Sequence, residues 1–240
     1  MRITVLTLFP EMYESFLHAS IVGRSIERGI VSVDFVQIRD FAHDRYRHVD
    51  DSPFGGGAGM VMKCQPVLDA IDSVRTEQSH VVLMSPRGTQ YTQKKAHEFS
   101  EKEHLILLCG HYEGLDERIS RHVDEEISIG DYVLTGGELA SMVIIDSVTR
   151  LLKGSIKEDS WSDESYENDL LEYPQYTQPA DYNGEKVPDI LLSGNHQKIR
   201  EWRMAQSLLL TQKHRPDLYA KHTFTREEEK ILKKIDEGKL

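Results

Sequence analysis

Apolar and polar positions follow two alternating periods along the first two thirds of the chain. Residues 2 to 9 mix β-branched and apolar side chains as a strand does, and Glu11 to Ile26 then sets Met12, Phe16, Leu17, Ile21 and Val22 at near-helical spacing. The order repeats: a strand over Val31 to Ile38, a helix over Gln65 to Val74, a strand over Val81 to Met84 and a helix over Thr92 to Ser100. The run His104-Leu105-Ile106-Leu107-Leu108-Cys109 suits a strand buried on both faces, and a short strand is expected near Glu126 to Ile129. Strands interleaved with helices predict an α/β layer around a largely parallel sheet.

Glu138 to Leu152 spaces Leu139, Met142, Val143, Ile145, Val148 and Leu152 for a helix with no Gly or Pro inside it. Periodicity then disappears between Lys157 and Leu192, where Pro174, Pro179 and Pro188 stand among acidic and aromatic residues, which predicts a linker and irregular loops. An amphipathic helix resumes over His196 to Leu210, and Thr225 with Glu228 is a capping-box pair for a last helix through Lys234. The division that follows is an α/β domain over residues 1–156, an acidic interdomain linker over 157–173 and a small helical domain over 174–240.

Composition narrows the class. Of 240 residues 39% are hydrophobic and 29% charged, and no apolar run approaches the roughly 18 residues of a membrane span. The opening Met1 to Pro10 reads as a first strand and not as a signal peptide, because Pro10 and Glu11 stand where a small-residue cleavage site belongs. Two cysteines, Cys64 and Cys109, make no disulfide framework and no Cys-x-x-Cys pair, which fits a reducing cytosol. The formal charge of −11 argues against indiscriminate nucleic-acid binding. It is unevenly spread, however: residues 157–190 hold two Lys or Arg against ten Asp or Glu, whereas 194–240 hold eleven against seven. Any contact with RNA is therefore expected to be local, and on the C-terminal part.

The first strand runs into Phe9-Pro10-Glu11-Met12 without the glycines of a dinucleotide fold, and Gly55-Gly56-Gly57-Ala58-Gly59-Met60 lacks the Lys-Ser/Thr ending of a phosphate loop. Four glycines in five residues nonetheless cost backbone entropy and point to close approach by a ligand or an RNA backbone. Three further segments follow apolar strands: Met84-Ser85-Pro86-Arg87-Gly88, Gly110 to Gly114, and Gly130 to Gly137. Each alone is an ordinary chain reversal; together, at strand ends where open α/β sheets bind ligands, they suggest one shared pocket.

The chain resembles the bacterial tRNA (guanine-N1)-methyltransferases, of the knotted SPOUT superfamily of S-adenosylmethionine enzymes. The blocks that carry the likeness are Leu8 to Met12, Gly55 to Met62, Cys109 to Arg118, Ile129 to Leu139, Leu170 to Pro179 and Leu192 to His196, spread over essentially the whole chain. The resemblance implies an α/β domain whose strand-end loops form a deep trefoil knot, with a small C-terminal helical domain that binds tRNA. It places the methyl donor, S-adenosyl-L-methionine, against Met84, Ser85 and Pro86, then Gly110, Tyr112, Glu113 and Gly114, then Ile129, Gly130, Asp131, Tyr132, Val133, Leu134, Gly136 and Gly137. It implies a homodimer with its site between subunits, no membrane, a cytoplasmic location, and a target guanine immediately 3′ of the anticodon. Magnesium is often needed in the family; no close histidine pair or other ligand set assigns it a protein site.

Guanine N1 carries a proton at neutral pH, so methylation there needs a positioned general base. The family's aspartate before a Ser-aromatic pair falls on Glu164, ahead of Ser165-Tyr166, with Asp163 as the reserve; a charge run of this kind is otherwise a solvated linker. Charge arriving on O6 calls for a guanidinium, and Arg150 holds the matching position, although a basic residue in a helix's last turn is also favoured by the macrodipole. The family's arginine before Pro179 is Gln178 here. Lys198, Arg200, Arg203, Lys213 and Arg215 are the candidates for gripping RNA, or else an ordinary solvated face. Two other readings stay open: a knotted methyltransferase of ribosomal RNA or of a ribose hydroxyl, and a noncatalytic RNA-binding module.

Overall fold

A computed structural model describes residues 1–156 and 164–238, in two compact units, Met1–Glu158 and Asp159–Leu240. In the first unit β1 (Arg2–Thr7) leads through a 3₁₀ turn (Pro10–Tyr13) to α1 (Glu14–Leu17), α2 (Ser20–Glu27) and β2 (Ser32–Gln37). A two-residue antiparallel pair, β3 (Asp50–Asp51) and β4 (Val61–Met62), brackets the glycine-rich loop. Then come α3 (Cys64–Val74), β5 (Ser79–Gln90), α4 (Gln93–Ser100), β6 (His104–Cys109), β7 (Glu125–Ser128) and α5 (Glu138–Thr149). The main sheet has the order β2-β1-β6-β5-β7 with every pair parallel.

Every residue of β6 is buried because helices cover both sheet faces, as a parallel sheet requires. Its side chains alternate between two cores: Leu105, Leu107 and Cys109 pack with Tyr13, Phe99, Ile144 and Val148, whereas Ile106 and Leu108 pack with Val67, Ile71 and Ile119. Truncating one such leucine to alanine costs about 2–5 kcal/mol in general.

Three elements depart from the sequence pattern. The helix expected over Glu11 to Ile26 is broken into a 3₁₀ turn and two short helices, with Ser20 at a φ of 52°. A Cβ on Gly23 would lie 2.7 Å from the carbonyl carbon of His18, so the bare glycine lets the broken turn fold back against α2. The strand expected to end at Met84 continues to Gln90: Ile127 faces Met84 and then Thr89, with Ser85 to Gly88 bulging out between. Finally, α5 stops at Thr149, not Leu152, with Arg150 as its C-cap.

In the second unit a hairpin of β8 (Asp181–Tyr182) and β9 (Glu185–Lys186) turns at Asn183-Gly184, both at positive φ. It precedes α6 (Asp189–Leu192), α7 (His196–His214), α8 (Pro216–Tyr219) and α9 (Arg226–Asp236). Leu170 joins Ala205, Leu208 and Ile231 in a small core, and the Leu171 N–H donates to Thr211 Oγ1 at 2.8 Å. The expected capping box of Thr225 and Glu228 is present in both directions. Among the described residues no helix is long and apolar enough to cross a membrane.

His104, 5% exposed, joins three strands: one ring nitrogen meets Thr4 Oγ1 and the other Ser79 Oγ, each at 2.8 Å. Burial and the nearby Arg2 charge push its pKa below the ordinary histidine value, so the neutral ring is the native form. As pH falls below about 6.5 the unfolded chain takes up this proton before the folded one, and stability is lost until the folded pKa is passed. His104→Gln is therefore expected to flatten the loss of urea stability between about pH 6.5 and 5, measured by denaturation midpoints across that range.

Candidate active site

The C-terminal ends of β5, β6 and β7 open into a cavity of about 430 Å³. The chain leaves β6 on one side of β5 and returns as β7 on the other, so the cavity sits where strand order reverses, the usual ligand position in an open α/β sheet. Its walls are Met84 to Arg87 from the β5 bulge, Gly110 to Leu115 after β6, and Ile129, Gly130 and Tyr132 to Gly137 after β7.

Glycines hold these walls together at distances no side chain permits. The Gly137 N–H donates to the Gly110 carbonyl at 2.9 Å, and a Cβ on Gly137 would lie 2.7 Å from Cys109 Cα. A Cβ on Gly136 would meet Glu138 Oε2 at 2.3 Å and His111 Nδ1 at 2.7 Å. Gly88 abuts the Glu126–Ile127 backbone just as closely, at 2.4 Å, which is where the bulge rejoins the sheet.

Behind the cavity lies Glu138, 2% exposed in the first turn of α5. Its Oε1 accepts from Thr7 Oγ1 at 2.8 Å, its carbonyl accepts from the Tyr13 hydroxyl at 3.4 Å, and the helix N-terminus favours its charge. The Tyr13 hydroxyl also meets Ser141 Oγ at 2.6 Å and Cys109 Sγ at 3.5 Å. Burial drives the Tyr13 hydroxyl pKa far above its ordinary value, and burial with the Glu138 charge pushes the Cys109 thiol up to about 12. His111 lines the cavity, and its buried Nδ1 has no hydrogen-bond partner among the described residues.

At the rim, Glu113 lies against the glycine-rich loop: its N–H donates to the Met60 carbonyl at 3.0 Å, and a Cβ on Gly59 would strike its side chain at 2.4 Å. Tyr112, at a φ of 61°, accepts from Arg39 at 3.2 Å. Arg87 pairs with Glu117 at 2.9 Å across the opening; both are exposed, so the pair adds little stability.

All the residues that the resemblance assigned to the methyl donor line this cavity except Asp131, which is exposed outside it. His111, Arg87, Leu115, Glu117 and Thr135 line it too and were not singled out; His111 lies inside a segment read only for its glycines. Arg150 is in the first unit and Glu164 in the second, where its carbonyl accepts from the Glu167 N–H at 3.4 Å. Asp163 lies outside the described residues. Of the basic candidates, Arg215 forms a two-pronged pair with Asp217, and Arg203 stacks over the Tyr173 ring at 4.8 Å. Among the described residues no group of three or more His, Cys, Asp or Glu is placed to hold a metal ion.

A parallel α/β sheet with a glycine-walled, partly apolar cavity beyond its strand ends places the first unit among the open α/β folds that bind a small molecule at that position. Residues 1–221 match the family model described as tRNA (Guanine-1)-methyltransferase TrmD, and the chain belongs to that family. It is 57% identical over 226 residues to a tRNA (guanine-N(1)-)-methyltransferase of Ruminiclostridium cellulolyticum, covering 92% of this chain and 97% of the relative. Proteins of the same name from Clostridium botulinum and Clostridium beijerinckii are each 53% identical over 235 residues, covering 97% of this chain and 98% of the relative.

Because the atoms facing Gly137 are backbone and Cβ atoms that cannot swing away, Gly137→Ala must push the loop off β6. A cost of about 1–3 kcal/mol is expected, lowering the thermal midpoint by about 2–12 °C in a differential scanning measurement.

Proposed function

We propose that this protein transfers the methyl group of S-adenosyl-L-methionine to N1 of a guanine in tRNA, the guanine immediately 3′ of the anticodon. The observation that carries the reading is the coincidence of one cavity, walled by three strand-end loops, with the family match over residues 1–221. The cavity suits the donor. Gly110, Gly136 and Gly137 put no side chain between the main chain and an adenine edge and ribose, Ile129 and Leu134 supply apolar surface, and the Glu113 carboxylate complements a cationic sulfonium or amino group. When bound, the donor supplies an electrophilic methyl on sulfur.

The rest falls to side chains. Glu164 takes the proton from guanine N1 as the new bond to carbon forms, and Arg150 donates hydrogen bonds to the O6 that gains the negative charge. The proton then leaves Glu164 for solvent. We place Arg150 and the donor loops of one copy opposite Glu164 and the C-terminal unit of another, in a cytoplasmic homodimer whose donor loops are threaded as a deep trefoil knot. Residues 174–240, with Leu170 and Leu171 packed onto them, serve as the tRNA-binding domain, and the acidic stretch before Leu170 as the linker. Magnesium is given no residue of this chain.

Incubation with methyl-labelled donor and an unmodified tRNA transcript bearing guanines at the last anticodon position and 3′ of it is expected to yield N1-methylguanosine at the 3′ guanine. A purified, donor-binding protein that yields none removes the assignment. Arg150→Ala and Glu164→Gln are each expected to lower kcat by about 10²–10⁴-fold while donor affinity by calorimetry stays unchanged. Asp163→Asn is expected to act near the wild-type rate, and the opposite ranking would move the base to Asp163.

A further inference from the structure

The second unit contains a cavity of its own, of about 590 Å³, within the roughly 300–1,000 Å³ range of small-molecule sites. Tyr173, Tyr176 and Trp202 line it with Leu191 and Ile199, and among the described residues Arg203 is the only Lys or Arg on its wall. The Arg203 guanidinium stacks on Tyr173 at 4.8 Å, and its buried Nε–H has no acceptor among the described residues. A charged donor covered by an aromatic ring and left without an acceptor is costly, and a ligand acceptor would relieve that cost once the guanidinium turns into the cavity. On α7, Ile199, Trp202 and Arg203 face the cavity, while Lys198 and Arg200, both exposed, stand one turn from Trp202 and Arg203 respectively. Flat aromatic faces, one unsatisfied guanidinium and cations at the rim match an unstacked nucleobase on its phosphate backbone. The fork of an arginine fits the O6 and N7 acceptors of guanine best.

We infer that the Tyr173–Tyr176–Trp202–Arg203 cavity binds one unstacked purine base of the substrate RNA, guanine in preference, so that Arg203 reads a base while Lys198 and Arg200 hold phosphates. That the RNA is the methylated tRNA rests on the function proposed above; the cavity's preference for a purine does not.

Two measurements separate these claims. In a Trp161→Phe background, where Trp202 is the one remaining indole, GMP is expected to quench Trp202 fluorescence saturably in the millimolar range, UMP several-fold more weakly, and Arg203→Gln to weaken the GMP effect at least tenfold. For tRNA, Arg203→Gln is expected to raise the dissociation constant about 10–100-fold with the salt slope unchanged and kcat within about twofold. Lys198→Gln is expected to lower the slope by about one. A thermal melt of Arg203→Gln matching the wild type within about 2 °C excludes misfolding as the cause. GMP binding without methyl transfer supports the cavity and sinks the functional proposal. Methyl transfer with Arg203→Gln binding tRNA like the wild type sinks the cavity proposal alone. A slope reduced by Arg203→Gln makes it a phosphate contact, and a shift from dimer to monomer in sedimentation assigns the cavity to a second copy of the chain; either overturns the inference.

Discussion

The buried carboxylate of Glu138 is the constraint around which the first unit is arranged. A charge that is 2% exposed persists only with hydrogen bonds and a favourable field, and here the end of β1 gives it Thr7 while the start of α5 gives it the helix dipole. Tyr13 bonds the carbonyl of the same residue and reaches Ser141 and Cys109, so the first strand, the central strand and the long helix meet at one polar cluster inside an apolar core. Gly136 lies directly against the carboxylate, which leaves the loop in front of the cluster one path. The cavity is the space between that loop, the β6 exit bonded to it through Gly137, and the β5 bulge that rejoins the sheet at Gly88.

Pre-organisation of that kind bears on methyl transfer. Attack at sulfonium carbon requires alignment of nucleophile, carbon and sulfur, and small misplacements lose large factors of rate. A donor held by backbone on the ends of buried strands inherits their rigidity. The groups proposed to handle guanine, by contrast, belong to a helix terminus and to the second unit, where binding of a large RNA can bring them into register.

The strands and helices of the first unit were legible because a sheet buried on both faces writes unbroken apolar runs such as Leu105 to Leu108, and because Glu138 to Val148 repeats at helical spacing. In the first unit, what failed did so for tertiary reasons. Nothing in the apolar spacing from Met12 to Val22 reveals that His18 must pack on Gly23, and Ser-Pro-Arg-Gly after Met84 reads as a turn although the chain rejoins the same partner strand at Thr89. The Asn183-Gly184 hairpin was a missed local signal: it is a strong two-residue turn, obscured by the acidic and proline-rich stretch around it. In the site, glycines marked the walls, yet His111 passed unnoticed between them, and Arg203 passed as a surface cation because helical spacing alone does not tell a rim residue from one turned under an aromatic ring.

Cys109 ends the central strand, wholly buried, with its thiol held near a pKa of 12. Only the thiolate reacts with peroxides and disulfides, so at cellular pH this sulfur is chemically silent even though its own residue packs, through Cα and Cβ, on the glycine that closes the cavity. A thiol in water at that spot would couple the site to every change in the cell's oxidants. Placed under Glu138 and Tyr13, it makes the wall of the cavity indifferent to them, and leaves Cys64, partly exposed, as the chain's other thiol.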